Sequence, residues 1–99
     1  MTRVVLVGDG AGVIAESTGR RKAFTSALLG VKSGAIAEFV KSMPSSVVLD
    51  PSVLPLFGGL PITVGSITIA GIGVGGAHSG DMDEVCAQAG LDKIKDRLK

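Results

Sequence analysis

One apolar, glycine-punctuated run constrains this chain more than any other segment: Ser66-Ile67-Thr68-Ile69-Ala70-Gly71-Ile72-Gly73-Val74-Gly75-Gly76. Its alternation of small and branched residues predicts a strand. Successive side chains of a strand point to opposite faces, so Gly71, Gly73 and Gly75 leave one face bare while Ile72 and Val74 occupy the other. Backbone without Cβ atoms lets a helix, a second subunit or a flat ligand lie directly on the sheet. The first question is what approaches that face.

The same letters satisfy G-x-G-x-x-G, the pattern of dinucleotide-binding turns. That fingerprint opens a strand, helix and second strand, with an acidic residue ~20 positions on that binds the ribose. Here the following helix is expected to run to Lys99 with no second strand after it. Close backbone approach is therefore the better reading of these glycines.

Upstream of this run, Phe57-Gly58-Gly59-Leu60-Pro61-Ile62-Thr63-Val64 reads as another strand, joined to it by a hairpin at Gly65-Ser66. Arg3 to Val7 is a β-branched run ending at Gly8-Asp9-Gly10-Ala11-Gly12, and with Val13 to Glu16 behind it a first hairpin is expected. No Gly-Lys-Ser/Thr follows those glycines, which argues for turn geometry over a phosphate loop. From Arg20 the pattern becomes helical, with Ala23, Phe24, Ala27 and Leu28 inward and Gly30 closing the helix. Ser33 is the expected cap of a second helix burying Ile36, Ala37, Phe39 and Val40, which ends near Met43-Pro44. Val47 to Pro55 reads as an irregular connection. A last helix starts at Ser79 or Asp81: Asp81 and Glu84 have capping-box spacing, Ala87, Leu91, Ile94 and Leu98 form its buried stripe, and Lys93, Lys95, Arg97 and Lys99 suit its C-terminal end.

Composition limits what this arrangement can do. The 99 residues fit one domain, 1–99, yet 45% are hydrophobic and the mean hydropathy is +0.48. A domain of this size buries only ~60–70% of its unfolded surface. Burial against copies of itself, a homo-oligomer, is the default expectation. A net charge of +1 gives no field for nucleic acid. No segment has the length or layout of a membrane span or signal peptide, and the single Cys86, expected to be a small buried hydrophobe, excludes an intrachain disulfide. A cytoplasmic location is the expectation.

In order along the chain, Gly58-Gly59-Leu60-Pro61-Ile62, Gly71-Ile72-Gly73-Val74-Gly75-Gly76 and Ser79-Gly80-Asp81-Met82-Asp83-Glu84-Val85-Cys86-Ala87-Gln88-Ala89-Gly90-Leu91 resemble the GlcG/HbpS-like family, which includes haem-binding proteins and the C-terminal module of PduO-type corrinoid proteins. Arg21-Lys22-Ala23-Phe24-Thr25-Ser26-Ala27 is similar to the family's A-x-x-K-A-x-T-A helix, and Val4 to Glu16 to its first hairpin. The resemblance implies an α/β (α+β) domain: a profilin-like antiparallel sheet with helices packed on it and a C-terminal helix, assembling into homo-oligomers that bind haem-like, corrinoid-like or small organic ligands. Two departures stand out. With Arg3 expected to open the first strand, the family's preceding helix is not expected in this sequence, and the segment between the second strand and the Arg20 helix is expected to be shortened.

His78, the only histidine, lies between the glycine run and the last helix, where imidazole can ligate haem iron or move a proton. The N–H groups of Gly75, Gly76 and Ala77, with the helix dipole behind them, can hold a carboxylate. Three readings follow. In the first, Arg21, Lys22, Gly73, Gly75, Gly76 and His78 bind a small ligand, haem being one possibility, near the Asp9 turn. In the second, an enzyme acts on a small organic acid with His78 and Asp9 or Asp81 as acid and base and Arg21 as carboxylate anchor. In the third, a structural subunit docks a partner through the glycine face. Asp81, Asp83 and Glu84 are read as helix capping ahead of cation binding, since their spacing matches no EF-hand.

Overall fold

The computed structural model describes residues 4–8, 12–43, 51–77 and 79–98, and not the side chain of Val13. Three helices and one hairpin make up the described chain. Helix α1 spans Val13–Leu29, a 3-10 turn Ser33–Ala35 leads into the short α2, Ile36–Ser42, strands β1, Gly59–Val64, and β2, Ile67–Gly73, pair antiparallel, and α3, Gly80–Ile94, ends in a 3-10 turn Lys95–Arg97. The mixed α/β architecture with a C-terminal helix is as expected from the sequence.

The hairpin turns at Gly65-Ser66, as its sequence predicts. Gly59 stands opposite Gly73, Leu60 opposite Ile72 and Pro61 opposite Gly71. After the Ile62–Ala70 pair the register moves to Thr63–Thr68, leaving Ile69 as the extra residue of a bulge. Pro61 fits the non-hydrogen-bonded place of its pair: Val74 N–H donates to Gly58 O, which fixes the alternation and turns the proline nitrogen toward the free edge of the sheet.

The occupant of the bare glycine face is α1. A Cβ on Gly71 would collide with the Ala23 carbonyl and the Ala27 nitrogen, one on Gly73 with the Gly19 carbonyl and the Ala23 nitrogen, and one on Gly75 with Thr18 Oγ1 and the Ala15 carbonyl. The helix runs down the strand at backbone contact, antiparallel to it. Gly19 reciprocates from the helix side, buried against Gly73 and Gly75. A glycine inside a helix costs about 1 kcal/mol relative to alanine, and here it permits this approach. With α1 seated, the glycine face is closed to any partner.

This packing corrects the sequence reading at three places. Val13 to Glu16 is the first turn of α1, not a strand, and Val4 to Gly8 carries no strand, so no first hairpin forms among the described residues. The contact with Gly75 and Gly76 at Thr18 and Ala15 requires helix that far upstream. The buried face of α1 is not the Ala-Phe-Leu stripe. Gly19, Lys22, Thr25 and Ser26 are buried, Ala23 and Phe24 half-buried, and Ala27 and Leu28 exposed, because a helix lying this close to a strand has room only for small or slender side chains. Thr25 earns its interior place by donating to Arg21 O and accepting from Leu54 N–H.

Gly30 closes α1 in the left-handed conformation, with its N–H on Ser26 O. Ser33 makes no helix cap. It is fully buried, accepts from Gly59 N–H at 2.8 Å and donates to Leu56 O, tying the approach of β1 to the 3-10 turn. On α2, Ile36, Ala37 and Val40 are half-buried, while Phe39 is exposed.

Helix α3 lies on the other face of the sheet, beside Ile72, whose Cδ1 sits 3.3 Å from where a Cβ on Gly90 would stand. Leu60 and Ala87 are the buried apolar side chains among the described residues; Leu91 and Leu98 are half-buried and Ile94 is exposed. Cys86, expected inside, is exposed. It falls one position before Ala87 and so off the stripe that faces the sheet. The connection from Pro51 to Pro55 is irregular as expected; the expected irregular residues before it, Val47 to Asp50, lie outside the described residues.

Candidate functional site

Where β2 ends, three elements converge on one ion pair. Lys22 of α1 donates from Nζ to Asp83 Oδ2 of α3 at 2.8 Å, both side chains about 5% exposed. The same Nζ reaches the Val74 carbonyl at 3.0 Å, and Asp83 Oδ1 accepts the Ala77 N–H at 2.9 Å. The pair thus grips the start and the end of the stretch Val74–Ala77. Two charges out of water survive only when their remaining hydrogen-bonding capacity is met, and this geometry meets most of it.

Gly58 makes the room. Its φ of 128° is strained for any other residue, and a Cβ there would meet Val74 O at 2.7 Å, Asp83 Cβ at 2.9 Å and Lys22 Cδ at 3.0 Å. Asp83 also stands in the first turns of α3, where the helix dipole favours a negative charge. Ser79 caps the helix, accepting the Met82 N–H at 3.3 Å, and its carbonyl accepts the Asp83 N–H. The Asp81–Glu84 capping box does not form among the described residues: the cap is two residues upstream of Asp81.

These bonds decide what each candidate residue can do. Lys22 is held in the interior by Asp83. Gly73 and Gly75 lie under α1. The Ala77 N–H, one of three proposed for binding a carboxylate, already holds a carboxylate, that of Asp83. Gly76 is exposed, with a φ of 100°. Arg21 is half-buried, and its Nε, buried, has no hydrogen-bond partner among the described residues. Asp81 is exposed on the first turn of α3. Asp9 and His78 lie outside the described residues; by sequence His78 falls between Ala77, fixed by Asp83, and Ser79, fixed as the cap.

Asp83 and Gly58 are the residues that sequence reasoning missed. A signal for Asp83 was present: counting back one turn from Ala87 along the buried stripe arrives at Asp83. A carboxylate on a buried stripe requires an interior cation, and Lys22 stands on the equivalent stripe of α1, with Gly19 and Ser26.

A second feature lies at the outer side of α3. A shallow groove of about 340 Å³ is lined by Lys32, Phe57, Asp81, Glu84, Val85 and Gln88. Lys32 pairs with Glu84 Oε1 at 3.1 Å, and Glu84 Oε2 is buried without a partner among the described residues. Phe57 sits between the backbones of Gly34 and Gly80, either of which would meet it if given a Cβ. A smaller groove of about 190 Å³ is lined by Thr63, Gln88, Leu91, Asp92, Lys95 and Leu98. Neither groove includes the Gly73–Ala77 stretch.

No single helix among the described residues is long and apolar enough to cross a membrane. No curated protein matches this chain. Solved structures do. A structure described as HbpS is 40% identical, with a TM-score of 0.87, over 92% of this chain and 64% of that one. A double glutamate-to-aspartate mutant of HbpS from Streptomyces reticuli is also 40% identical, with a TM-score of 0.87, over 92% of this chain and 62% of that one. The protein ORFY of Klebsiella pneumoniae, at 22% identity and a TM-score of 0.84, shares the fold over 91% of this chain and 64% of its own. The chain thus spans under two thirds of the length of the structures it matches. The family described as haem degrading protein HbpS-like matches residues 1–92, and with that match over nearly its whole length the chain belongs to the HbpS-like family.

Proposed function

We propose that this chain is a small-ligand-binding domain that works as a homo-oligomer and takes a haem-like, corrinoid-like or small organic acid ligand at the loop between β2 and α3, in the cytoplasm. The observation that carries this reading is the double grip of Lys22 and Asp83 on Val74–Ala77, which fixes both ends of a stretch whose last residues, Gly76 and Ala77, are exposed just before the only histidine. A binding loop set on a rigid frame loses little entropy when its ligand arrives. Membership of a family described as haem degrading makes a metalloporphyrin the first ligand to test.

In this reading the candidate residues divide their roles. Gly76 and His78 meet the ligand, His78 as the ligand of a haem iron, and the half-buried Arg21 takes an anionic group. Lys22, Gly73 and Gly75 act from behind, Lys22 by fixing the loop and the glycines by seating α1. Because Asp83 occupies the N–H of Ala77, a ligand carboxylate turns to the Gly76 N–H or to Arg21 instead. Of the described residues, Arg21 and the Gly76 N–H are the ones this reading assigns to the anionic edge of a porphyrin, and His78 is the residue it assigns to the metal.

Titration with haem tests the assignment. A Soret shift that saturates, and that is lost in His78→Ala while the variant keeps its helical circular dichroism, is the expected result. A shift unchanged by that substitution removes His78 as the iron ligand.

A further inference from the structure

The exposed side of α3 carries an apolar strip that begins at the loop between β2 and α3. Met82, Val85, Cys86 and Ala89 are spaced three and four apart and so share one side of the helix. All four are exposed, Met82 to 52% and Val85 to 70%. The near end of the strip is tied to the loop: the Met82 N–H donates to Ser79 Oγ, and Asp83, the next residue, holds the Ala77 N–H. At the far end, one turn beyond Ala89, Lys93 is exposed and makes no ion pair among the described residues. From Met82 to Lys93 the helix rises about 16 Å.

From this we infer that the ligand of the β2–α3 loop is a large, flat ring system with a carboxylate edge, lying along α3 with its ring over Met82, Val85, Cys86 and Ala89 and a carboxylate at Lys93. The inference rests on the loop reading above and narrows its ligand class, setting aside the small organic acid. A contiguous apolar strip open to water gains when an apolar surface covers it, and a small acid has too little apolar area to do so or to reach from the loop to Lys93. The short side chains of Cys86 and Ala89 leave the middle of the strip flat, while the unbranched thioether of Met82 adapts to the edge of a ring. Among these five positions the only charge is a cation, which attracts an acid group and repels an amine.

The test is Soret titration with haem of the wild-type chain and of Ala89→Glu, Lys93→Glu and Lys41→Glu, each checked for fold by circular dichroism and for native mass by light scattering. Lys41 pairs with Glu38 on α2, and its reversal changes the net charge as much as that of Lys93. The dissociation constant is expected to rise about tenfold or more in Ala89→Glu and about fivefold in Lys93→Glu, and to stay within about twofold in Lys41→Glu. Citrate, a small acid, is expected not to displace haem. A wild-type chain without a Soret shift overturns the loop reading and this inference with it. A shift that is lost in His78→Ala but unmoved by both α3 substitutions leaves the loop reading standing and overturns the strip as the ring's seat. The same is true if Ala89→Glu changes the native mass and not the titration, since the strip is then a protein contact. Displacement of haem by an equal concentration of citrate overturns the ligand class.

Discussion

At the scale of single residues, Lys22 and Asp83 organise the candidate site, and their effect is measurable apart from any ligand. Removing one charge of a buried pair leaves the other desolvated and unmatched, at a cost of about 3–5 kcal/mol, whereas replacing both with apolar groups of similar shape is often neutral. Asp83→Asn is therefore expected to shift the urea midpoint down strongly, and Lys22→Met with Asp83→Leu to recover much of the loss. If the double variant is as unstable as the single one, the pair is not the isolated unit described here. Ser33 is a second case: Ser33→Ala strands the buried Gly59 N–H, and a loss of about 1–3 kcal/mol in urea unfolding is expected. Asp83 left a trace in the sequence, a carboxylate on a buried stripe, but the pairing of Lys22 and the tie made by Ser33 were not legible in it. Lys22 reads as a ligand-binding candidate and Ser33 as a helix cap, because neighbours along the chain do not name partners 61 and 26 positions away.

At the scale of elements, the bare glycine face of β2 was legible and its occupant was not. Period-two alternation exposed Gly71 and Gly73 on one side, but nothing local says whether a helix, a subunit or a ligand fills the space. α1 fills it, and its own sequence hides the fact: its buried face is Gly19, Lys22, Thr25 and Ser26, which does not read as an apolar stripe. Its first turns were mistaken for a strand because Val13 and Ile14 are β-branched, a weak preference that packing overrides. The consequence is a change of expected phenotype. Gly73→Val puts a branched side chain into the Gly19 carbonyl and Ala23 nitrogen, and since backbone cannot yield as a side chain does, loss of the folded state is expected, seen as loss of cooperative unfolding. Gly65→Ala in the hairpin turn, at φ 62° with open space around it, is expected to keep the fold and lose only about 1–2 kcal/mol of stability, the strain being that of the backbone alone. A folded Gly73→Val protein that merely falls apart into smaller assemblies would contradict the seating of α1.

At the scale of the whole molecule, a chain with 45% hydrophobic residues buries few large ones among its described residues. Among the described residues Leu60 and Ala87 form the buried apolar set, while Val4, Leu6, Ile14 and Val85 are at least 70% exposed. The expectation of more apolar surface than one core can hide came from composition alone, and the exposed side chains agree with it. Fold class was legible through the family resemblance, which rests on the order of the glycine-rich segments and the last helix. The helix start was narrowed to Ser79 or Asp81, of which Ser79 is the cap, and the exposure of Cys86 was not legible, since each turns on a shift of one or two residues along a helix. The central claim is that ligand meets this domain at the loop from Gly75 to Ser79, held by Lys22 and Asp83. It is tested most directly by following backbone amide chemical shifts during titration with a diamagnetic metalloporphyrin. Saturating shifts centred on Gly76, Ala77 and Ser79, and weakened in Asp83→Asn, are the predicted result. Shifts centred on the Phe57–Val85 groove, with the β2–α3 loop unmoved, would contradict it.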